Sequence, residues 1–292
     1  MESSIFIYGG KMMKGKKTYF FAALFALLLM LCLVPTQSVK AASNPSKKTL
    51  KTDKTYSSYD ITGDQKADKI KIQTTSDKYG NITKVIVLVN GKSCYTYKTS
   101  YAIGVDAELY TLKNGKPYLH LCVFEDNDLS DKDVLLKYKS GKLKSALNIY
   151  KVTSKFGTPS ATTKIKVSGN KLKITFGFNS HTTSYSTFTY TYKYKSGSLK
   201  RTSNKTKTFT LNFKKQGKTF TTAKKLTVYS SPTKTKTKTL AKSTKVKITQ
   251  IYQKGSNLFM KYKTTKTGKT GWIKCYKKWH DQEIFKNLYW AG

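Results

Sequence analysis

Along the chain, apolar and polar positions alternate over short stretches and never settle into a helical period. Lys69–Gln73 alternates strictly. Val85–Val89 is a continuous apolar run, followed by Asn90-Gly91 and then Cys94–Tyr97, which predicts a β-hairpin with a two-residue turn. Asn114-Gly115, Ser140-Gly141, Gly169-Asn170, Ser196-Gly197 and Gln216-Gly217 punctuate the chain beyond that hairpin. No segment sustains apolar residues at i, i+3, i+4 and i+7, so the pattern predicts a mainly β, antiparallel chain. Residues 43–56, rich in Ser, Asn, Pro, Lys and Thr, predict an exposed linker ahead of the first strands.

The N-terminus departs from this pattern. Lys11, Lys14, Lys16 and Lys17 precede an apolar run from Tyr19 to Val34, Pro35 breaks it, and Val39-Lys40-Ala41 has the small-x-small form of a signal-peptidase site. Residues 1–42 are expected to be an export signal, with Met12 or Met13 the more usual start. The run is short for a membrane span, so no stable span is expected after cleavage. The expected location is outside the cell, held at its wall by non-covalent contacts.

Charge sharpens the picture. Lys+Arg is 55 against 15 Asp+Glu, a net +40 at pH 7. Removing residues 1–42 takes away five Lys and one Glu and leaves +36. No Asp or Glu stands between Val134 and His280, which excludes carboxylate catalysis and carboxylate metal cages from that half. Arg201 is the only arginine. Lysine is a point charge without the planar fork that reads bases, so nucleic acid is not the expected partner of this exported polycation. Three cysteines remain beyond the signal, Cys94, Cys122 and Cys275; an odd number in apolar surroundings predicts buried thiols rather than a disulfide framework.

Tyr138-Lys-Ser-Gly-Lys-Leu-Lys144 returns as Tyr194-Lys-Ser-Gly-Ser-Leu-Lys200, each downstream of an apolar strand, and a weaker third unit starts near Tyr59. Residues 57–213 are therefore expected to be a β-repeat domain, propeller-blade-like or sandwich-like, with too few units to close a ring. The alternative is a hairpin turn that simply recurs in a Lys-rich protein.

Asp60-Ile-Thr-Gly-Asp-Gln-Lys-Ala-Asp68 sets oxygen donors at alternate positions. Asp60, Thr62, Asp64 and Asp68 offer side chains and Lys66 its carbonyl, the donor type a calcium ion takes. Gln65 replaces the EF-hand glycine, Lys71 its closing glutamate, and a strand follows instead of a helix. The loop resembles the Asp-x-x-Gly-Asp-x-x-x-Asp loop of FG-GAP and related integrin-type β-propeller repeats, a resemblance of about 15 residues that implies calcium. The other reading is a turn whose aspartates cap their own backbone. A second acidic stretch, Glu125–Asp133, predicts a hairpin loop.

From Phe220 the character changes. Leu226-Thr-Val-Tyr-Ser-Ser-Pro232, Lys245–Thr249, Leu258–Lys263 and Gly268-Lys-Thr-Gly-Trp-Ile273 follow in the order of the bacterial Src-homology-3 (SH3b) family, to which residues 214–280 are similar. Ser243-Thr244 stands where that family has Lys-Gly. Leu226, Val228, Val246, Ile248, Phe259 and Ile273 alternate with Lys and Thr and predict one buried face. The resemblance implies a small SH3-like barrel that binds the cell wall, with Tyr229, Tyr252, Tyr262 and Trp272 as candidate groove aromatics; Trp272 is also a core candidate. Residues 281–292 look like the tail that follows such modules in secreted clostridial proteins and are expected to pack on a domain.

Three histidines, His120, His181 and His280, form no metal pair. His120 and Cys122 face one side of a strand, but they come before any plausible acid on that sheet to orient them. The expected function is non-enzymatic: a secreted protein binding peptidoglycan or teichoic acid through its SH3b module. Alternatives are an adhesin whose β-repeats bind a host or surface polyanion, and an accessory subunit of a cell-wall hydrolase.

Overall fold

The computed structural model describes residues 45–206 apart from 181 and 183, then 209–211, 219–232, 236–254, 257–274, 284–286 and 288. The expected export signal, His181, Cys275 and His280 lie outside the described residues. Among the described residues, no helix is long and apolar enough to cross a membrane.

The chain is nearly all β, in four antiparallel sheets. Sheet I is a meander of β2 (Thr55–Tyr59), β3 (Asp68–Ser76), β4 (Ile82–Val89) and β5 (Lys92–Lys98). Sheet II repeats that plan with β6 (Gly104–Thr111), β7 (Pro117–Phe124), β8 (Ser130–Lys139) and β9 (Lys142–Asn148). Sheet III repeats it again with β10 (Thr158–Ser168), β11 (Lys171–Ser180), β12 (Ser184–Lys195) and β13 (Ser198–Arg201), and β14 (Phe209–Leu211) pairs with β12.

The repeat has a local cause. In each meander the third and fourth strands are joined by two residues at positive φ: Asn90-Gly91, Ser140-Gly141 and Ser196-Gly197. Two successive positive φ values make the turn whose twist matches a right-handed β-hairpin. The Tyr-Lys-Ser-Gly echo thus marks equivalent corners of sheets II and III, and Val89-Asn-Gly91 marks that corner of sheet I.

The expected linker is not one. Residues Ser46–Leu50 form β1, which pairs with β6 at the edge of sheet II in the register Lys47↔Tyr110, and Leu50 is buried. Four of its five residues are exposed, so its composition resembles a loop while its backbone completes the ladder.

Sheet II is buried on both faces, so β7 is buried from Pro117 to Val123, apolar but for His120. Ala107, Leu109, Leu119, Leu121, Val134 and Leu136 share a core with sheet I. Tyr110, Tyr118 and Leu135, on the opposite face, join a second core with sheet III and the C-terminal sheet. A short helix, α1 (Ile149–Thr153), capped by the Asn148 side chain accepting from Lys151 N–H at 2.8 Å, crosses from sheet II to sheet III.

Sheet IV, an open half-barrel, runs β17 (Lys236–Leu240), β16 (Leu226–Tyr229), β20 (Thr270–Lys274), β19 (Asn257–Thr264), β18 (Lys245–Lys254), β15 (Phe220–Thr222) and β21 (Phe285–Lys286). Residues 285–286 of the expected tail belong to this sheet: β21 pairs with β15, and the Phe285 ring meets Phe220 at 4.8 Å. Before sheet IV, residues 204–206 add to β18 through Thr206 N–H to Ile251 O at 2.8 Å and Gln253 N–H to Asn204 O at 2.8 Å. The third and fourth sheets are therefore stitched by backbone as well as by a shared core.

Candidate functional site

The Asp60–Asp68 loop closes the β2–β3 hairpin, with Gly63 and Gln65 both at positive φ. One oxygen each of Asp60, Asp64 and Asp68 can be chosen so that all three lie within 4.8 Å of one another. Their roles divide. Asp68 is buried; its Oδ2 accepts from Ile61 N–H and Thr62 N–H, each at 2.9 Å, and its Oδ1 from the Asn90 amide at 2.7 Å. It is a clasp between two hairpins. Asp60 accepts from Gly63 N–H and, at 2.8 Å, from Gln65 N–H, while Thr62 Oγ1 donates to it at 3.3 Å. Asp64 accepts from Lys66 N–H at 2.9 Å, a bond that holds its carboxyl below the ordinary aspartate range. Only oxygen donors converge, which suits a hard cation, and Asp60 and Asp64 are the carboxylates free of buried structural duty. At the level of bonds the aspartates cap their own backbone, and oxygens of Asp60, Asp64 and Asp68 also converge. Beside the loop is a cavity of about 310 Å³ lined by Tyr59, Asp60, Gly63, Gln65, Asn114 and Lys116 among others.

The C-terminal aromatics fall on two faces of sheet IV. Tyr229, Tyr252 and Trp272 come together with Phe259 opposite the main core. Tyr229 meets Phe259 at 5.5 Å and Tyr252 meets Trp272 at 6.2 Å, both edge to face. The Lys205 ammonium stands 5.9 Å from the Trp272 ring. Tyr262 is not with them; it lies in the main core. Phe259 and Tyr262 have thus exchanged the faces expected of them. A register shift between Ile248 and Gln250 explains part of the confusion, because it brings Ile248 and Ile251 onto the same face. Gly271 sits opposite Tyr262, where an added Cβ would stand 2.8 Å from the ring, so the second glycine of the Gly-x-x-Gly-Trp segment makes room for an aromatic. Tyr252 and Trp272 are 7% and 5% exposed, which leaves ring edges rather than open faces at the surface.

A buried cluster around His120 lies beyond the reach of sequence spacing. His120 does have acids on its sheet. Its Nε2 lies 2.7 Å from Asp133 Oδ1 on β8, and Glu108 Oε2 on β6 stands 3.9 Å from Nδ1. The pairing register puts Glu108 opposite His120 and Asp133 opposite Cys122, which the sequence separation hides. Thr163 of β10 donates to Asp133 Oδ2 at 2.6 Å, and Glu108 also takes Lys47 and the Tyr110 hydroxyl. Burial disfavours the imidazolium, but the Asp133 charge and hydrogen bond, with Glu108 behind, raise its pKa to about 9. His120 and Cys122 are 3% and 1% exposed. Burial and the Asp133 charge push the Cys122 thiol well up, the opposite of an activated nucleophile. The arrangement is a buried ion-pair network between sheets II and III.

Arg201, too, has an internal role. Its guanidinium donates to Gln253 Oε1 at 2.8 Å, to Gln253 O at 2.6 Å and to Asn204 Oδ1 at 2.7 Å, and lies 4.5 Å over the Tyr190 ring. The only signal for it in the sequence is its being the sole arginine.

No protein-family model matches this chain, and no curated protein or solved structure is significantly similar to it.

Proposed function

We propose that this is a non-enzymatic, secreted surface protein that binds the anionic polymers of a cell wall, peptidoglycan-linked teichoic acids among them. The observation that carries the reading is the segregation of charge through the fold. Every acidic residue of sheets I and II and their connections lies at or before Asp133, while sheets III and IV present lysine without a carboxylate as far as His280. A half that carries cations and no carboxylate attracts any polyanion and does so in a salt-sensitive way. The Tyr229, Tyr252, Phe259 and Trp272 cluster with Lys205 is the second contact surface we assign to the wall, in the SH3b-like part of the chain. Calcium, held by Asp60 and Asp64 with Thr62 and the Lys66 carbonyl, would pin the sheet I hairpin and neutralise its acids; Asp68 closes the loop from behind.

Sedimentation of the protein with purified Gram-positive walls tests this. Binding is expected to fall steeply as salt rises, and to fall again on walls stripped of their phosphate polymers. Binding indifferent to both would sink the reading.

A further inference from the structure

Resting on that reading, we propose that the outer face of sheet III is the polyanion-binding surface, and that its ligand is a linear phosphodiester polymer lying across the strands. The inner face of this sheet is apolar, with Leu172, Ile174, Phe176, Tyr190 and Tyr192 in the core. The outer face is a lysine grid. Lys200 on β13 pairs with Lys193 on β12, which pairs with Lys171 on β11, so three ammonium groups stand directly abreast. Beside that row, Lys166 on β10 pairs with Lys173 on β11. All five are exposed and none is in an ion pair among the described residues; further along the same side of the strands the face closes, with Thr175 half-buried and Thr189 buried, sharing a 2.9 Å hydrogen bond.

Like charges directly opposite each other on paired strands destabilise a sheet. Solubility asks only for polar residues here, and threonine or mixed charges supply that without repulsion. Protection of sheet edges covers only Lys166 and Lys200, on the end strands β10 and β13; Lys171, Lys173 and Lys193 stand on β11 and β12, interior strands with no free edge. A repulsive grid on central strands is what a surface looks like when an external anion completes it. Strands lie about 4.8 Å apart and alternate residues along a strand about 6.7 Å apart, so the cations recur about every 5–7 Å in both directions. A flexible chain with one phosphate per repeat can follow that row, each phosphate taking a lysine as a point charge with a hydroxyl nearby.

The test compares two fourfold variants of equal net charge. One carries Lys171→Gln, Lys173→Gln, Lys193→Gln and Lys200→Gln. The other carries Lys84→Gln, Lys98→Gln, Lys139→Gln and Lys142→Gln, which removes two cross-strand lysine pairs from sheets I and II, outside the carboxylate-free half. The probe is poly(glycerol phosphate), with heparin as a sulfated counterpart. The sheet III variant is expected to bind the phosphate polymer at least about tenfold more weakly. Its slope of log K against log salt should be shallower by about 3, at about 0.7 per cation lost for a single-stranded polyanion. It should also melt at a higher temperature than the parent, since repulsion is relieved; that rise shows the loss of binding is not a loss of fold. The control should change binding by less than about twofold. Equal losses in both variants, or equal retention, overturn the assignment to this face. Heparin bound by the parent as tightly as the phosphate polymer overturns the phosphodiester. If the parent itself fails to sediment with walls, the proposed function falls; if it sediments and both variants follow it alike, only this inference falls.

Discussion

Arg201 holds a joint that lysine cannot. Its fork reaches two groups on Gln253 and one on Asn204 while its plane covers Tyr190, so one side chain binds sheet III to β18. Arg201→Lys keeps the charge and loses the fork and the stacking, and should cost about 2 kcal/mol by urea unfolding, the scale of charge-assisted bonds left incomplete. His120 gives a pH signature. Its pKa is raised from 6.5 to about 9, so its contribution to stability is full below about 6.5 and disappears as pH rises through 9. Glu108 is lowered from 4.5 to about 2 by His120, Lys47 and Tyr110, so its contribution is present above 4.5 and is lost as pH falls toward 2. The urea midpoint should therefore plateau between about pH 4.5 and 6.5 and decline on the alkaline side. His120→Asn should flatten that alkaline limb; a parent midpoint unchanged from pH 6.5 to 9 would contradict the buried imidazolium. Neither residue's role was legible in the sequence. Asp133 is thirteen positions from His120 and Gln253 is fifty-two from Arg201, and only the strand register brings them together.

Turns and loops carry the predictions at the next scale. Ser140 and Ser196 occupy the left-handed region at φ 51° and 47°, where serine is strained and asparagine is tolerated. Ser140→Asn and Ser196→Asn should each raise stability by about 0.5 kcal/mol, read as a small increase in Tm. On the proposed reading, the Asp60–Asp68 loop separates one structural aspartate, Asp68, from two that would hold a cation, Asp60 and Asp64. Asp68→Asn should destabilise the protein by about 2 kcal/mol with or without calcium, because a buried acceptor of three hydrogen bonds becomes part donor. Calcium bound there should raise the Tm of the parent by mass action, and Asp60→Asn with Asp64→Asn should abolish that rise. A parent whose Tm ignores millimolar calcium would return the loop to plain backbone capping. Elements of this kind were largely legible: Asn-Gly and Ser-Gly pairs fix hairpins locally, and nine residues fix the loop. Faces were less so. Residues 46–50 look like linker because four of five point to solvent, and Phe259 and Tyr262 cannot be told apart by hydrophobicity when both faces of a strand are apolar.

At the scale of the whole molecule, the sequence divides where the structure does not. The change in motif near residue 214 invites a boundary between a repeat domain and a C-terminal barrel. Yet Phe176, Phe188 and Tyr190 of sheet III share one core with Val246, Ile251 and Met260 of sheet IV, and residues 204–206 extend the β18 ladder. Shared apolar burial is what couples two sheets into one cooperative transition, because unfolding either exposes the other's core. Removing residues 214–292 would uncover that core and strip the partners of Arg201 at once. We therefore expect the truncated chain to aggregate or bind hydrophobic dyes, and its failure to hold the wall would say nothing about where the wall is held. The intact protein should melt in one transition across sheets II to IV, with calorimetric and van't Hoff enthalpies equal. Arg201→Lys should lower that single Tm without splitting it. Two resolved transitions, the later one surviving Arg201→Lys unchanged, would mean that the C-terminal sheet folds on its own and that the contacts around Gln253 join two finished bodies.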